Sequence, residues 1–428
     1  MTQVIGRILV VYAVVEFLSI LIYFPRLRLW FSGLRPQAHL YSEKKRRFAV
    51  LIPARNESAA ISPLLSSVCA QRYPSELFRV FVIVKDPDDP TLKMVGEKLP
   101  QARTMVVPAQ EKKADALDAA MKAILAVPEE TFDAFLVVDA DSVLAPDYLL
   151  EMNNAAESGA DVIIPRNGCK NWLLGGKKHR SLVTNCSAMT YVAIDAMGNK
   201  GKCKKGDTLS LCGQGMFLRY EMIRALGGYP FCTLAEDYEI AAACIRNGYR
   251  QFYYEYAVVY SEEPVSRREY NKRRARWLRG FFEFHHYYGR EMHDLIRGEK
   301  EKIFRNYFFL YGLLPLAPLF GASALAFLSL FVIGVAGHFS GAAFAGTALF
   351  FSLLPLLVVY LQLFLFGAFE LLADWGISAM TGLEKAQFLL FSPFLNTEYA
   401  VLFFLTLFTR CYDTWEPIGR LDFREGTK

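Results

Sequence analysis

The amino-acid sequence predicts an α/β domain with a mostly parallel sheet, joined to helices that span a membrane. Short β-branched apolar runs alternate with segments of helical periodicity, which is the pattern of a parallel sheet covered by helices. Four longer apolar stretches are each able to cross a bilayer. The 428-residue chain is also 53% hydrophobic, with a mean hydropathy of +0.19, which is too apolar for a soluble protein of this length.

The first apolar stretch runs from Val4 to Phe24 and predicts a membrane anchor over residues 1–25. A helix needs ~20 mostly apolar residues to cross the hydrocarbon core. A cleaved signal peptide is the alternative, but no small-residue cleavage site follows, and "YFPRLRLW" is a poor substitute. We therefore expect this segment to be retained.

Three further apolar stretches predict about three membrane helices within residues 303–410. They cover Tyr307–Ala336, Phe344–Leu372 and Phe388–Phe408. Pro393 and Asn396 interrupt the last stretch, so a re-entrant segment is the alternative to a full span. The side of the membrane that the tail, residues 411–428, occupies therefore stays open.

Basic residues predict the orientation, because Lys and Arg are retained on the cytoplasmic side of a membrane. They follow the first stretch at Arg26, Arg28, Arg35 and Lys44–Arg47, and they recur in "RGEKEKIFRN" before the second. We expect an integral membrane protein, in the plasma membrane if bacterial, with its middle domain in the cytosol. Glu16 and Glu370 lie within apolar stretches and are expected to face the interior of the helix bundle.

The predicted α/β domain covers residues 48–264. Its apolar runs suit parallel strands buried on both faces, and they are Phe48–Ala54, Arg79–Asp86, Thr104–Ala109 and Ala134–Asp141. Two segments of helical periodicity lie between them, "ESAAISPLLSSVCAQ" and "EKKADALDAAMKAIL". In such a sheet ligands bind at the carboxyl ends of the strands. Polar residues lie there, namely Arg55, Asn56, Glu57, Asp86, Asp139 and Asp141.

Two carboxylates follow the last predicted strand in "VVDADSVLAPDYL". Asp139 and Asp141 would repel each other in a cleft unless a cation lay nearby. Carboxylate ligands suit Mg²⁺ or Mn²⁺, which commonly complete their coordination with substrate phosphates. The alternative is a solvated turn before a helix that begins near Pro146.

Charge and cysteine content narrow the classes of partner. The net charge of +5 is small and mixed in sign, so nucleic acid is not favoured, whereas an anionic membrane surface or substrate is compatible with it. The eight cysteines show no C-x-x-C spacing, which favours reduced cytosolic thiols over a disulfide framework or a zinc site.

A basic, aromatic segment, "SRREYNKRRARWLRGFFEFHHYY", predicts an amphipathic helix over residues 265–302. Its aromatic residues recur at helical spacing, at Trp277, Phe281, Phe284 and Tyr288. We expect this stripe to lie in the membrane interface, a helix of the domain core being the alternative.

Upstream, the basic segment Asn199–Asp207 predicts a mobile loop near the membrane face, with binding of anionic lipid or phosphate as the alternative to a plain loop.

Seven motifs in order resemble one known family. "VLIPARNES", "VIVKD", "EKKADALDAAM", "VVDADSVLAPDYL", "GQGMFLR", "LAEDYEIAAACIRNGYR" and "RRARWLRG" are similar to motifs of the membrane-bound family 2 glycosyltransferases. That superfamily includes cellulose, chitin and hyaluronan synthases and ceramide glucosyltransferase. The resemblance covers about residues 48–290. It implies a GT-A-type, Rossmann-like domain and inverting transfer from a UDP-sugar, of the UDP-Glc or UDP-GlcNAc type, to a growing glycan or lipid-linked acceptor.

The resemblance implies the donor-binding residues. Pro53, Glu57 and Asp86 match positions that hold the nucleoside, although "KDPDDPT" around Asp86 departs from the family's spacing. Lys113 matches a lysine that faces the nucleotide, a solvated helix charge being the alternative. Asp139 and Asp141 match the pair that binds Mg²⁺ or Mn²⁺.

The resemblance also implies a general base. Asp237 in "LAEDYEI" would take the acceptor's proton, and its helix is predicted to end at Asn247, before Gly248. Because the helix dipole favours a carboxylate at its N-terminus, we expect Asp237 to be ionised. The alternative is that Glu236, Asp237 and Glu239 are ordinary first-turn acids.

The acceptor is expected to contact four residues, Glu236, Trp277, Gly213 and Gln214. Glycines in "LCGQGMFLR" allow backbone to approach a sugar, though they also serve plain turns. Arg276 is expected near the diphosphate. Arg273 stands where polymer-forming synthases have Gln, and the same variant occurs among lipid glucosyltransferases, so single addition to a glycolipid is the alternative to polysaccharide synthesis.

Two other functional classes are weaker alternatives. A nucleotidyltransferase could share the α/β fold and the carboxylate pair but would not explain "LAED" followed by "RRARW". A non-catalytic membrane scaffold would explain the apolar stretches but not seven ordered motifs.

Overall fold

The computed structural model describes residues 1–297, Asn306, 316–374 and 377–409 of the chain. The strands are β1 Phe48–Pro53, β2 Phe78–Val84, β3 Arg103–Val106, β4 Ala134–Val137, β5 Val143–Leu144, β6 Val162–Cys169, β7 Met216–Arg219 and β8 Gln251–Ser261. The helices are α1 Thr2–Gly33, α2 Ile61–Cys69, α3 Thr91–Lys98, α4 Lys113–Leu125, α5 Tyr148–Ala155, α6 Lys170–Leu174, α7 Leu182–Val192, α8 Lys200–Lys205, α9 Tyr220–Leu226, α10 Glu236–Asn247, α11 Arg267–Arg297, α12 Leu316–Phe339, α13 Ala345–Ala373 and α14 Gly382–Thr409. A π-helix, Ala193–Asn199, joins α7 to α8, and short 3₁₀ turns cover Ser75–Leu77, Ala156–Ser158 and Lys177–His179.

Eight strands form one sheet in the order β3-β2-β1-β4-β7-β6-β8-β5. The four strands predicted from the sequence, β1 to β4, pair in parallel, and β6 pairs with β8 in parallel too. The strands β7 and β5 run antiparallel to their neighbours. The prediction of a mostly parallel sheet is confirmed.

Both faces of the sheet are buried, because apolar side chains alternate to opposite sides of each strand. Leu51 and Phe135 belong to the core on one face, under α4 and α10, and Val50 and Leu136 belong to the core on the other, under α2 and α5. This two-sided burial is the reason that the strands read as continuous apolar runs.

Within the described residues, four helices are long and apolar enough to cross a membrane, and they lie within α1, α12, α13 and α14. The helix α14 is continuous through Pro393 and Asn396, so the proline does not break it. The start of the second apolar stretch at Tyr307 and the tail 411–428 lie outside the described residues.

Polar side chains form hydrogen bonds between the membrane helices. Glu16 of α1 accepts hydrogen bonds from Ser323 Oγ of α12 at 3.0 Å and from Gln362 Nε2 of α13 at 3.1 Å. Glu16 is 6% exposed and Glu370 is 4% exposed. The expectation that both glutamates face the bundle interior is confirmed.

Helix α11 differs from the expected interfacial helix. Phe281 and Phe284 are buried and pack against Tyr238 of α10, at ring-centroid distances of 5.8 and 5.6 Å. The prediction that the aromatic stripe lies in the membrane interface is therefore wrong for these two residues. They fit the alternative, which was a helix of the domain core. The opposite side of α11 contacts α14, where the ring centroids of Phe282 and Phe403 lie 5.4 Å apart.

The basic segment Asn199–Asp207 is also not the loop that was expected. It forms α8, which packs against α1 so closely that a side chain at Gly201 would collide with the Leu29 carbonyl. Lys204 Nζ donates to the carbonyls of Ser32 and Arg35, at 3.0 and 2.9 Å. The lysine therefore satisfies carbonyl groups at the C-terminal end of α1.

Candidate active site

The carboxyl ends of β1, β2 and β4 open on one edge of the sheet. Two loops there are tied together, because the Asn56 amide donates to Asp89 Oδ2 at 2.9 Å and the Glu57 amide donates to Thr91 Oγ1 at 3.0 Å. Asn56 adopts a left-handed conformation with φ of 56°, which asparagine tolerates. Asp89 also accepts from the Thr91 amide at 2.8 Å.

Asp89 is a residue that sequence reasoning missed. Its carboxylate is 6% exposed and holds the loop that carries Glu57. The signal was present as an aspartate two residues before Thr91, the spacing of an Asx turn. Pro53 and Glu57 are half-buried at this edge and Asp86 is exposed. The structure brings the three to adjacent loops, and their donor-binding roles stay predictions.

Lys113 lies at the centre of the site. As the first residue of α4, it places Nζ 2.6 Å from Asp139 Oδ1, 3.4 Å from Glu236 Oε1 and 2.9 Å from the Gly213 carbonyl. Burial alone would lower the pKa of Lys113, but the carboxylates of Asp139 and Glu236 outweigh it and raise that pKa. The ammonium group is therefore firmly charged, and the alternative of a solvated helix charge does not hold.

The start of α4 fixes this lysine. Asp115 Oδ2 accepts from the backbone amides of Lys112 and Glu111, at 2.8 and 2.9 Å. Lys112 reaches the other way, donating to the Cys232 carbonyl at 2.7 Å. The two adjacent lysines therefore have different partners: Lys112 also lies 3.5 Å from Glu283 Oε1, whereas Lys113 contacts Asp139 and Glu236.

Asp237 lies in the first turn of α10, next to Glu236. The helix ends at Asn247, and Gly248 follows with φ of 72°, as predicted. The helix dipole does not keep Asp237 fully ionised. Burial, and then the neighbouring charge of Glu236, raise the pKa of Asp237 to about 7, so the helix dipole is outweighed.

Gly213 closes the site from above. Its φ is +67°, and a β-carbon there would lie 3.7 Å from both Asp237 Oδ2 and Glu236 Oε1. Those distances are ordinary contacts, so the positive φ, and not a lack of space, favours glycine at this position. Three of the predicted acceptor and base residues are brought together here.

Gln214 differs from its neighbour because it is 6% exposed and hydrogen-bonded inside the protein. Its Nε2 donates to Asn167 Oδ1 at 2.9 Å and to Ser261 Oγ at 2.5 Å. The structure places Gln214 beneath the site, where it supports the loop of Gly213. Its predicted contact with the acceptor stays a prediction.

Asp139 and Asp141 occupy different surroundings. Asp139 is open to solvent and paired with Lys113, whereas Asp141 is 8% exposed and its backbone carbonyl accepts a hydrogen bond from Lys170 Nζ at 2.8 Å. No group of three or more His, Cys, Asp or Glu side chains gathers as a metal site within residues 1–297, 316–374 and 377–409. Two carboxylates fit Mg²⁺ or Mn²⁺, since such ions commonly take their other ligands from phosphates and water. The ammonium group against Asp139 shows that this position attracts a cation.

Helix α11 carries Arg276 and Trp277. Burial and the charge of Arg273 lower the pKa of Arg276, while the carboxylates of Asp139 and Glu236 act in the opposite direction. Trp277 is half-buried, with the guanidinium of Arg274 at 4.6 Å from its ring and Tyr191 edge-on at 5.9 Å.

Two contacts of α11 are made with the loop that precedes α10 and Asp237. The Leu234 amide donates to Glu283 Oε2 at 2.7 Å, just before α10 begins. Gly280 faces Ala235 so closely that an added β-carbon would lie 2.8 Å from the Ala235 β-carbon. Glycine in "RRARWLRG" therefore allows α11 to pack onto the loop that starts α10.

Glu239 is a second residue whose role the sequence did not reveal. Its Oε1 accepts from the Cys232 amide at 3.0 Å and from both the amide and the hydroxyl of Thr233 at 2.6 Å. Glu239 is 4% exposed. The sequence placed it only in the alternative of ordinary first-turn acids, and nothing in the local sequence indicates that its side chain folds back onto the preceding loop.

Several known proteins resemble this chain. The probable glycosyltransferase YdaM of Bacillus subtilis is 26% identical over 244 residues, covering 55% of each chain. The β-monoglucosyldiacylglycerol synthase of Trichormus variabilis is 22% identical over 200 residues, covering 45% of this chain and 40% of that protein. The chain thus spans about half the length, or less, of these curated relatives.

Among solved structures, the mannosyltransferase PcManGT from Pyrobaculum calidifontis covers 94% of this chain with a TM-score of 0.58 and 18% identity. At that identity the likeness shows the fold, which is GT-A-like with membrane helices. Residues 46–280 match the model of the family described as glycosyltransferase like family 2. Because this match covers more than half of the chain, the protein belongs to that family of glycosyltransferases.

Proposed function

We propose that the protein is a metal-dependent, inverting glycosyltransferase that moves a sugar from a UDP-sugar to a lipid-linked or growing glycan acceptor. We further propose that a catalytic domain of residues 48–264 does so at the cytosolic face of the membrane. The observation that carries the proposal is the cluster of Lys113, Asp139, Glu236 and Asp237 at the carboxyl edge of the sheet. That is the edge at which such sheets bind nucleotides.

The donor half of the site would be built from two loops and one lysine. Pro53, Glu57 and Asp86 would hold the nucleoside, and Lys113 would hold the diphosphate, for which its ammonium is a compact point charge. In the structure Lys113 pairs with Asp139. When a diphosphate binds with its cation, Lys113 would pair with the diphosphate and Asp139 with the cation. Arg276, partly buried nearby, would add positive charge opposite the leaving group.

A divalent cation bound by Asp139 and Asp141 would supply Lewis-acid stabilisation of the charge that builds on the leaving diphosphate. The donor set fits Mg²⁺ or Mn²⁺. PcManGT, a protein of the same fold, is described in complex with GDP-Man and Mn²⁺. That complex supports a metal and a nucleoside-diphosphate sugar, and it makes GDP-mannose the rival donor.

The acceptor half would be built around Asp237. Its carboxylate would take the proton of the acceptor hydroxyl while that oxygen forms a bond to the anomeric carbon on the face opposite the diphosphate. The bond from the anomeric carbon to the diphosphate oxygen would break, and the nucleoside diphosphate would leave with the electron pair. A base with a pKa of about 7 suits proton abstraction near neutral pH.

Two observations favour the transfer of a single sugar to a glycolipid acceptor. The relatives include β-monoglucosyldiacylglycerol synthases. Helix α11, which carries Arg276 and Trp277, also packs against the membrane helix α14, so an acceptor headgroup could reach the site from the bilayer. Polysaccharide synthesis is the alternative.

The test is a panel of radiolabelled donors, UDP-Glc, UDP-GlcNAc and GDP-Man, added to membranes with and without the protein. We expect label from a UDP-sugar in the organic phase after solvent extraction, in a single lipid product. Label in a large water-soluble product would favour a polysaccharide synthase. Transfer from GDP-Man alone would contradict the UDP-sugar donor, and no transfer from any donor would contradict the proposed reaction.

A further inference from the structure

Behind Asp141 lies a layer of buried charges that the proposed reaction does not use. Lys170 is 0% exposed, Glu263 is 1% exposed and Glu262 is 5% exposed. Lysine is almost never fully buried unless it is paired. Such a layer costs desolvation free energy, and ion pairs of this kind are often no more stabilising than apolar packing. The layer is better explained by a role in holding neighbouring segments in a fixed arrangement than by a contribution to stability.

The strand register brings these charges together. Cys169 of β6 pairs with Ser261 of β8, so Lys170 and Glu262 leave neighbouring parallel strands at the same edge. Lys170 Nζ lies 3.6 Å from Glu262 Oε2 and donates to the Asp141 carbonyl at 2.8 Å. One lysine thus joins the turn of the proposed metal ligands to the end of β8.

The other end of the layer is on α11. Arg273 Nη1 pairs with Glu263 Oε2 at 2.8 Å, and its Nη2 donates to the Glu262 carbonyl at 2.7 Å. Ser187 Oγ donates to the same carboxylate oxygen at 2.5 Å. Arg273 therefore points into the protein, three residues before Arg276 and four before Trp277.

The backbone of Glu263 is fixed independently. Its amide donates to Asn171 Oδ1 at 2.8 Å, and Asn171 Nδ2 donates back to the Glu263 carbonyl at 2.9 Å. Asn171 follows Lys170 directly and is 0% exposed. The chain of contacts from Asp141 to α11 is therefore continuous and has little freedom to shift.

We propose that Lys170, Glu262, Glu263 and Arg273 form a positioning chain that sets the turn of Asp141 relative to α11. The inference rests on the proposed function. Lys170 and Arg273 would act through their neighbours, holding the metal-binding turn and the helix of Arg276 and Trp277 in one fixed arrangement. It also gives a reason for arginine at position 273, because a guanidinium fork makes two directed contacts that lysine or glutamine cannot both reproduce.

The test uses Arg273→Lys and Lys170→Met in the full-length protein in detergent, with binding of Mn²⁺ in the presence of UDP measured by electron paramagnetic resonance. GDP is the second probe nucleotide. Loss of groups that orient metal ligands typically weakens metal binding about 10-fold to 100-fold. We expect each variant to raise the Mn²⁺ dissociation constant about tenfold, although Arg273 is not a proposed ligand. We expect the double variant to bind Mn²⁺ as tightly as the more affected single variant.

Matched controls replace residues in exposed pairs. Arg246 pairs with Glu291 at 2.8 Å and Lys122 pairs with Asp118 at 2.7 Å. Arg246→Lys and Lys122→Met should bind Mn²⁺ like the wild type. Thermal unfolding separates a folding defect from a binding defect, and if Lys170→Met does not fold, Arg273→Lys carries the test alone.

The outcomes separate the two claims. Folded variants that bind Mn²⁺ with the wild-type constant, or that lower only the unfolding temperature, would overturn the positioning chain while the proposed function stands. Additive losses in the double variant would overturn the coupling between the turn and α11. A wild-type protein that binds no Mn²⁺ with either nucleotide would overturn the metal-dependent function itself, and the chain with it.

Discussion

Asp237 owes its unusual protonation to its surroundings and not to its place in a helix. The dipole at a helix N-terminus is worth about 0.3–1 kcal/mol, which is less than one pKa unit. Desolvation of a buried carboxyl raises its pKa by up to ~3–5 units. The local sequence "LAEDYEI" reveals the helix but not the burial, and this is why the sequence does not predict the raised pKa of Asp237.

The first prediction concerns the pH dependence of transfer. Because the ionised form of Asp237 would accept the proton in the proposed reaction, and its pKa is raised to about 7, we expect the rate to fall as pH is lowered through about 7. An ordinary aspartate, ionised above ~4, would leave the rate flat over this range. Initial rates from pH 5.5 to 8.5, at saturating donor, test this. A rate independent of pH down to 5.5 would argue against Asp237 as the base.

The second prediction concerns Trp277, whose proposed role is to contact the acceptor sugar. Trp277→Ala should leave UDP-sugar binding nearly unchanged and cut transfer at least about tenfold, equivalent to ~1.4 kcal/mol of transition-state stabilisation. Trp277→Phe, which keeps an aromatic face, should retain most of the rate. Donor affinity by calorimetry and initial rates in the same detergent are compared. A parallel loss of binding and rate would make Trp277 a packing residue, held by Arg274 and Tyr191.

At the scale of the element, α11 is the part that the sequence described least well. Its amphipathic pattern was recognised, but an apolar face carries no information about whether lipid or protein covers it. Phe284 is fully buried against α10, and this follows from packing between segments that are distant in the chain. The parallel strands were predictable for the opposite reason, since burial on both faces leaves a continuous apolar run.

The third prediction uses the close contact of α11 with the start of α10. Gly280→Ala puts a β-carbon 2.8 Å from that of Ala235, so α11 must shift relative to the start of α10, which carries Asp237. We expect a loss of about tenfold in kcat, which is typical of small displacements of catalytic groups, with donor affinity retained.

Gly289→Ala on the same helix is the matched control. Its nearest neighbour would be His285 Cβ at 3.6 Å, an ordinary contact, and alanine favours a helix over glycine. This variant should keep full activity and unfold at the same or a slightly higher temperature. Equal effects of the two variants would show that the contact with Ala235 has no special role.

At the scale of the whole molecule, the catalytic domain and the membrane helices meet at defined contacts. Lys204 binds the end of α1, and Arg274 lies 5.4 Å from the ring of Tyr399 in α14. Glu16 joins α1 to α12 and α13 among the membrane helices themselves. Apolar length predicted the four membrane helices, but it could not show these docking contacts, since they join residues far apart in sequence. We propose that these contacts hold the site beside the bilayer, where the acceptor would lie.

The measurement that tests the central claim most directly compares the wild-type protein with Asp237→Asn and Asp139→Asn, using one labelled UDP-sugar in lipid nanodiscs. We expect Asp237→Asn to bind the donor with Mn²⁺ like the wild type but to transfer no sugar, and Asp139→Asn to lose Mn²⁺-dependent donor binding as well. Excess EDTA should abolish wild-type transfer, and Mn²⁺ or Mg²⁺ should restore it. Transfer by Asp237→Asn at the wild-type rate, or full turnover in EDTA, would contradict the account.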